Sequence, residues 1–279
     1  MFFIKSMGPD DKREAVRLLT QENLSIRRAC TLVGMSRSAY AYNHKPKDDQ
    51  ALIDSLLTLV EQYPTIGFLK CYERLRRQGS TYNHKRLYRI YTMLRLNIRR
   101  RTKRRIPARV KEALVVPQDI NQTWSMDFMT DSLVSGRRFR ILNVIDDYNR
   151  ESLAIEIDTS LPSLRVVRVL DRLIEGRGKP KVIRVDNGPE FTSEVMKTWC
   201  EERKIELRFI QPGKPTQNGF IERQNGSMRR ELLNAYLFYS LDEVRHMAEE
   251  WRYDYNHERP HEALGLVPLV EYEYLKTTF

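Results

Sequence analysis

The chain has 279 residues, 41% of them hydrophobic, with 48 Lys and Arg against 37 Asp and Glu and a formal charge of +11. That length and apolar content suffice for two or three folded domains and exclude a disordered or low-complexity chain. No apolar run approaches the roughly 20 residues of a membrane helix, and the opening MFFIKSMGPDDKREA is charged too early for a secretory signal.

A cytoplasmic address without membrane contact is therefore expected. Cys30, Cys71 and Cys200 stand apart with no CxxC spacing, which favours buried free thiols over disulfides or a cysteine-rich zinc site. The charge is unevenly placed: residues 1–118 carry a balance of +15, and residues 119–279 carry −4. The densest stretch, RLNIRRRTKRRIPARVK (95–111), includes Arg99, Arg100, Arg101, Lys103, Arg104 and Arg105. Like charges so close together repel one another in a compact core and call for a polyanionic partner, nucleic acid first.

In chain order, DDKREAVRLLTQENL (10–24) reads as a helix with an acidic first turn. In SIRRACTLVGMSRSAYAY (25–42), Ser25 caps a helix, Gly34 ends it and Ser36 caps the next. Helix, glycine turn and helix make a helix-turn-helix layout, with Arg37, Ser38 and Tyr40 presented to a groove. Residues 51–96 hold further helices; Lys85, Arg86 and Arg89 form a basic stripe opposite Leu87, Ile90 and Leu94, as expected of a second DNA-contacting module or of a plain surface helix.

From about residue 119 the texture changes to strands. TWSMDFMTD and RRFRILNVIDDYNRESLAIEID carry three β-type runs, two of them joined through residues 147–150 as antiparallel neighbours. A periodic helix (163–178), the strand KVIRVDNG, the helix SEVMKTWCEERK and the strand IELRFI follow, which predicts a mixed α/β core. A long helix stopped by Pro260 ends the pattern. The expected divisions are 1–45 and 46–96 (helical DNA-binding modules), 97–118 (basic linker), 119–236 (catalytic core) and 237–279 (its helical extension).

Three acids stand out in the core. Asp127 lies inside the apolar run Trp124, Met126, Phe128; Asp186 ends the strand 182–185; Glu222 begins the helix IERQNGSMRRELLNAY after a loop rich in glycine and proline. Strand ends in α/β sheets are where sites form. Carboxylates gathered there repel one another unless cations neutralise them, and hard oxygen donors favour Mg²⁺ or Mn²⁺ over zinc. Asp146 and Asp147 read as turn residues or, alternatively, as supports of the site, and His257 and His261 as capping or packing residues beside Pro260.

The words WSMDF, VIRVDNGPEF, PGKPTQNGFIERQNGSMRREL and WRYDYNHERPHEALG, with 35 residues between Asp186 and Glu222, together resemble the transposases of the IS3 insertion-sequence family over residues 10–270. The resemblance implies an RNase H-like fold, a mixed five-stranded sheet with flanking helices, in which Asp127, Asp186 and Glu222 are catalytic and hold two Mg²⁺ ions, with Mn²⁺ as a substitute. It implies a bacterial, nucleoid-associated protein that works on double-stranded DNA, cutting and joining element ends (terminal inverted repeats) and target, as a homo-oligomer and with a possible upstream-frame product as partner. Arg229, seven positions after the glutamate, matches the family's phosphate-holding basic residue. Lys214, Asn218 and Arg223 around the same helix start are expected to face DNA, and Asn187 and Glu190 to support the site, although Asn-Gly turn chemistry alone would also explain Asn187. The retroviral His/His/Cys/Cys zinc module is absent from the sequence. Two rivals remain at this stage: a structure-specific nuclease on the same fold, which would cut without element ends, and a non-catalytic DNA-binding regulator, which would bind without cutting.

Overall fold

A computed structural model describes residues 7–42, 48–98, 116–211 and 215–272, and the chain divides into two compact units, residues 1–49 and 50–279. In the first unit, α1 (Pro9–Gln21), α2 (Ile26–Val33) and α3 (Arg37–Ala41) pack through Val16, Ala29, Cys30 and Val33. Local chemistry sets their ends. Ser36 Oγ accepts from the Ala39 N–H at 3.1 Å, and Gly34 closes α2 in the left-handed region, at φ 65°. The helix, glycine turn and helix read from the sequence are all present, with Arg37 exposed at the start of α3.

The second unit begins with α4 (Gln50–Gln62), α5 (Phe68–Arg77) and α6 (His84–Met93), which enclose a core of their own around Leu52, Leu56, Cys71, Leu87 and Tyr91. On α6, Leu87 and Ile90 are buried while Lys85 and Arg89 are exposed and Arg86 is half-buried, lying over the Tyr82 ring. The basic linker residues Arg99, Arg100, Arg101, Lys103, Arg104 and Arg105 lie outside the described residues, as does Lys214.

Five strands follow: β1 (Thr123–Ser132), β2 (Arg138–Asp146), β3 (Ser152–Asp158), β4 (Val182–Val185) and β5 (Glu206–Phe209). Their order is β3-β2-β1-β4-β5, with β1 to β3 antiparallel and β4 and β5 parallel to β1. An antiparallel meander extended by two parallel strands, with helices on both faces, is the RNase H-like fold. The connections that make β4 and β5 parallel are helical, α7 (Ser163–Arg177) before β4, then α8 (Pro189–Thr192) and α9 (Glu194–Glu202) before β5.

Strand periodicity assigns the two faces. Trp124 and Met126 of β1, with Leu142, Val144, Ile183 and Val185, pack against Val166, Val169 and Leu170 of α7 and Met196 and Trp199 of α9. The opposite face carries Met129, Ile141 and Ile157 against Met228, Leu232, Val244 and Ala248. These last come from α10 (Gly219–Met228), the π turn that continues it (Arg229–Leu233) and α11 (Leu241–His257). Each large side chain fully buried here contributes about 1.5–3 kcal/mol.

The helical module is tied to this core through buried charge. Arg74 of α5, 8% exposed, reaches both oxygens of Asp254 on α11 at 2.7 Å, and Tyr63 Oη donates to the same carboxylate at 2.9 Å. Arg77 pairs with Glu271. The basic face of α5 is thus engaged by acids of the core. Cys30, Cys71 and Cys200 are free and buried, and burial holds the Cys71 thiol up at about 12. Among the described residues, no helix is long and apolar enough to cross a membrane.

Candidate active site

Asp127 interrupts an apolar run in the sequence, and the pleat explains how. With Trp124, Met126 and Phe128 committed to the α7/α9 side, Asp127 falls on the other side, half-buried and facing α10. Its Oδ1 accepts from the Phe128 N–H at 2.9 Å and its Oδ2 from Asn225 Nδ2 at 2.7 Å. Asn225 is oriented in turn by Asn143, whose Nδ2 donates to Asn225 Oδ1 at 2.7 Å and which is the register partner of Asp127 on β2. Asn143 is fully buried and Asn225 nearly so, so neither amide can exchange these bonds for water without cost.

Asp186 leaves the end of β4 on the same side. Its Oδ1 accepts from the Gly188 N–H at 3.0 Å, folding the turn back over the carboxylate. A Cβ on Gly188 would stand 3.0 Å from that oxygen, so this position takes glycine because the turn passes so close to the acid. Asn187 points away and donates to the Ile210 carbonyl at 3.2 Å, holding the turn to the end of β5. Glu190 is ion-paired with Arg140 of β2, whose guanidinium lies 4.2 Å from the centre of the Phe128 ring.

Glu222 is exposed in the first turn of α10. The segment leading to it is closed at its base by Gln217, whose Oε1 accepts from the Gln211 N–H at 2.8 Å. A short 3₁₀ turn, Pro215–Asn218, then feeds α10, and Asn218 is 2% exposed with no partner for its Oδ1 among the described residues. Arg223 is exposed, and no carboxylate among the described residues pairs with it. Arg229 pairs with Asp131 of β1 at 2.7 Å and donates to the Thr130 carbonyl at 2.8 Å. Along α10, Asn225 and Arg229 lie one turn apart and grip β1 at Asp127 and Asp131.

The charges of the other two acids reach Asp127. Burial raises the Asp127 carboxyl to about 6; the Phe128 and Asn225 hydrogen bonds moderate the rise, and the charges of Asp186 and Glu222 add to it. Burial raises Glu222 as well. Among the described residues, no three Asp, Glu, His or Cys side chains stand close enough together to hold an ion as they are. Asp127 sits on β1, Asp186 just past the end of β4 and Glu222 in the first turn of α10, and the charges of the last two reach Asp127.

The acids stood out in the sequence as candidates by their charge, whereas the residues that hold Asp127 did not. Asn225 could have been found, since it sits three positions after Glu222 and shares its helix face. The roles of Asn143 and Arg140 depend on strand pairing and leave no local trace. His261, read as a packing residue, is one: its Nε2 lies 2.8 Å from the Tyr255 carbonyl, its ring meets Tyr255 edge-on, and burial depresses it to about 3.

Two integrase core domain family models match the chain, over residues 117–215 and 203–268. Among solved structures, the HTLV-2 integrase catalytic core domain in complex with magnesium aligns with 57% of this chain and 98% of its own at 20% identity, with a TM-score of 0.45. An uncharacterized 39.2 kDa protein of insertion element IS476 from Xanthomonas euvesicatoria is 40% identical across 96% of this chain and 78% of its own length. An uncharacterized 31.7 kDa protein of insertion element IS407 from Burkholderia multivorans is 41% identical across 90% and 91%. Transposase InsD of the Escherichia coli IS2 elements is 24% identical across 81% and 79%.

Fold and relatives together define an insertion-element transposase with an integrase core. The chain belongs to the IS3 family of insertion-sequence transposases.

Proposed function

We propose that this transposase binds the terminal inverted repeats of its own element and carries out metal-dependent cleavage and strand transfer with Asp127, Asp186 and Glu222. The observation that carries the reading is the coupling of the three acids: the charges of Asp186 and Glu222 both oppose ionisation of Asp127, whose carboxyl sits at about 6. A half-buried carboxylate whose ionisation is opposed by two other acids is a poor arrangement for stability and a good one for taking up cations.

The donor set fits Mg²⁺ or Mn²⁺. All three groups are hard oxygen donors, and Asn225 already orients one oxygen of Asp127 from behind, as partners of ligating carboxylates do. Two such ions, when bound, would sharpen a water or a DNA 3′-hydroxyl as nucleophile and stabilise the departing oxygen. The chain's own residues do the rest. Asp127 and Asp186 are fixed from the sheet, Glu222 arrives on α10, and Arg229, braced by Asp131, places a cation beside the site. Arg37, Lys85, Arg86, Arg89 and Arg223, with Lys214 and the basic linker, supply the contacts to DNA phosphate and to the repeats, whereas Asn218, expected to face DNA, is 2% exposed and falls outside this set. Glu190, engaged by Arg140, supports the turn after Asp186, as Asn187 does from its far side. The working form on DNA is a homo-oligomer that brings two element ends together.

The test uses the full chain and a duplex ending in the element's terminal repeat. Asp127→Asn, Asp186→Asn and Glu222→Gln each keep end binding and lose Mg²⁺-dependent cleavage. Cleavage retained in any one of them rejects that residue's assignment.

A further inference from the structure

Asp146 and Asp147 look alike in the sequence, both closing β2 ahead of a turn, yet the fold uses them differently. Asp146, itself fully buried, accepts from the Tyr148 N–H at 2.9 Å and the Asn121 N–H at 2.8 Å and lies 3.7 Å from Arg177. Asp147 turns inward and is completely buried. Its Oδ2 meets Arg184 Nη1 at 2.7 Å, and its backbone N–H donates to the Thr123 carbonyl at 2.9 Å. Arg150 adds a second positive charge close by, and its guanidinium lies 3.2 Å from the centre of the Phe220 ring. Ser125 flanks the same carboxylate, although neither Ser125 Oγ nor Asp147 Oδ1 completes a hydrogen bond of ordinary geometry.

The addresses of these partners are informative. Ser125 precedes Asp127 by two residues on β1, Arg184 precedes Asp186 by two on β4, and Phe220 precedes Glu222 by two on α10. Residues two apart on a strand share a face, so Ser125 and Arg184 stand beside the acids, and they are register partners of each other across the parallel pair. Phe220 and Glu222 share the first turn of α10, so fixing one fixes the position of the other. A second tie holds that helix to the residue after the turn: Gln224 Nε2 donates to Ser152 Oγ at 2.7 Å, both side chains being fully buried. Stability alone explains this cluster poorly, because a buried ion pair is often no better than apolar side chains of equal volume.

We propose that Asp147 is a positioning residue for the metal-binding acids: through Arg184, and through Arg150 stacked on Phe220, it sets the spacing of the three segments that carry Asp127, Asp186 and Glu222. The proposal rests on the assignment of those acids as metal ligands. Its test is manganese binding by the full chain, followed by electron paramagnetic resonance of free Mn²⁺, with folding checked by thermal denaturation. Asp147→Asn, which keeps shape and removes charge, weakens Mn²⁺ affinity by roughly 10–100-fold, the usual effect of losing a partner of a metal ligand. Arg150→Met acts in the same direction from a less buried position and decides the matter should Asp147→Asn fail to fold. Leu170→Ala, a core variant on the far face, loses stability and keeps native affinity. Native affinity in Asp147→Asn or, where that variant does not fold, in Arg150→Met overturns the positioning role, as does a loss no larger than that of Leu170→Ala. Asp127→Asn separates the two readings: if it too binds Mn²⁺ like the native chain, the ligand assignment has failed and the positioning role falls with it, whereas a weakened Asp127→Asn beside an unaffected Asp147→Asn rejects the positioning role alone.

Discussion

The two faces of the sheet are built by different means. On the α7/α9 side, Trp124, Met126, Leu142, Val144, Ile183 and Val185 meet helices through apolar contact, and nearly every side chain is replaceable by another of similar volume. On the α10/α11 side, an apolar patch around Met129, Ile141 and Met228 is flanked by polar ties: Asn143 to Asn225 to Asp127, Gln224 to Ser152 and Arg184 to Asp147 on one side and Arg229 to Asp131 on the other. Apolar packing is non-directional and tolerates sliding; hydrogen bonds fix distance and angle. The first face makes the fold stable, and the second makes the position of three acids specific.

That division can be broken from either side. Removing the charge of Asp127, Asp186 or Glu222 is expected to lower strand cleavage by at least about 10³-fold, the scale of several kcal/mol of lost charge stabilisation, with little change in end binding. Leu170→Ala, on the apolar face, is expected to lower unfolding free energy by about 2–5 kcal/mol in urea titrations while cleavage per folded molecule stays native. Asn225→Ala should do the opposite, costing about 1–2 kcal/mol of stability but weakening Mn²⁺ binding about 10–100-fold, because Asp127 Oδ2 loses its orienting donor.

The smallest effect sharpens the comparison most. In the folded chain the Asp127 carboxyl lies at about 6, above its ordinary 3.8, so the fold favours the protonated acid. The stability this confers is fully present below pH 3.8 and is lost as pH rises through 6. At pH 7.5 without metal, Asp127→Asn should therefore be more stable than the native chain, by up to about 2 kcal/mol once solvent screening is allowed for. The difference should vanish toward pH 4. An inert surface aspartate would show no such gain.

Much of this was legible in the sequence because it is local. Ser25, Gly34 and Ser36 punctuate the first helices by cap chemistry, and strand alternation announced β1 and β4. Asp127 and Asp186 stood out as candidates because a charge inside an apolar run, or at a strand end before Asn-Gly, has few structural reasons to be there. What was not legible is long-range. Asp146 and Asp147 share one local context and are both buried, and their partners are set by distant segments: Asn121 and Arg177 for Asp146, Arg184, 37 positions away, for Asp147. Arg74 read as one basic residue among many, and its commitment to Asp254, 180 positions away, follows from helix packing that no local pattern encodes. The π turn after α10, which brings Arg229 onto Asp131, is likewise a product of tertiary fit.

If Asp127, Asp186 and Glu222 are the metal ligands, their carboxylates come together on divalent ions when DNA is bound. Anomalous diffraction from crystals of the full chain with an element-end duplex and Mn²⁺ tests it directly. Manganese seated on oxygens of all three side chains is the predicted result. Manganese held elsewhere, with the three carboxylates apart in the DNA-bound form, would contradict it.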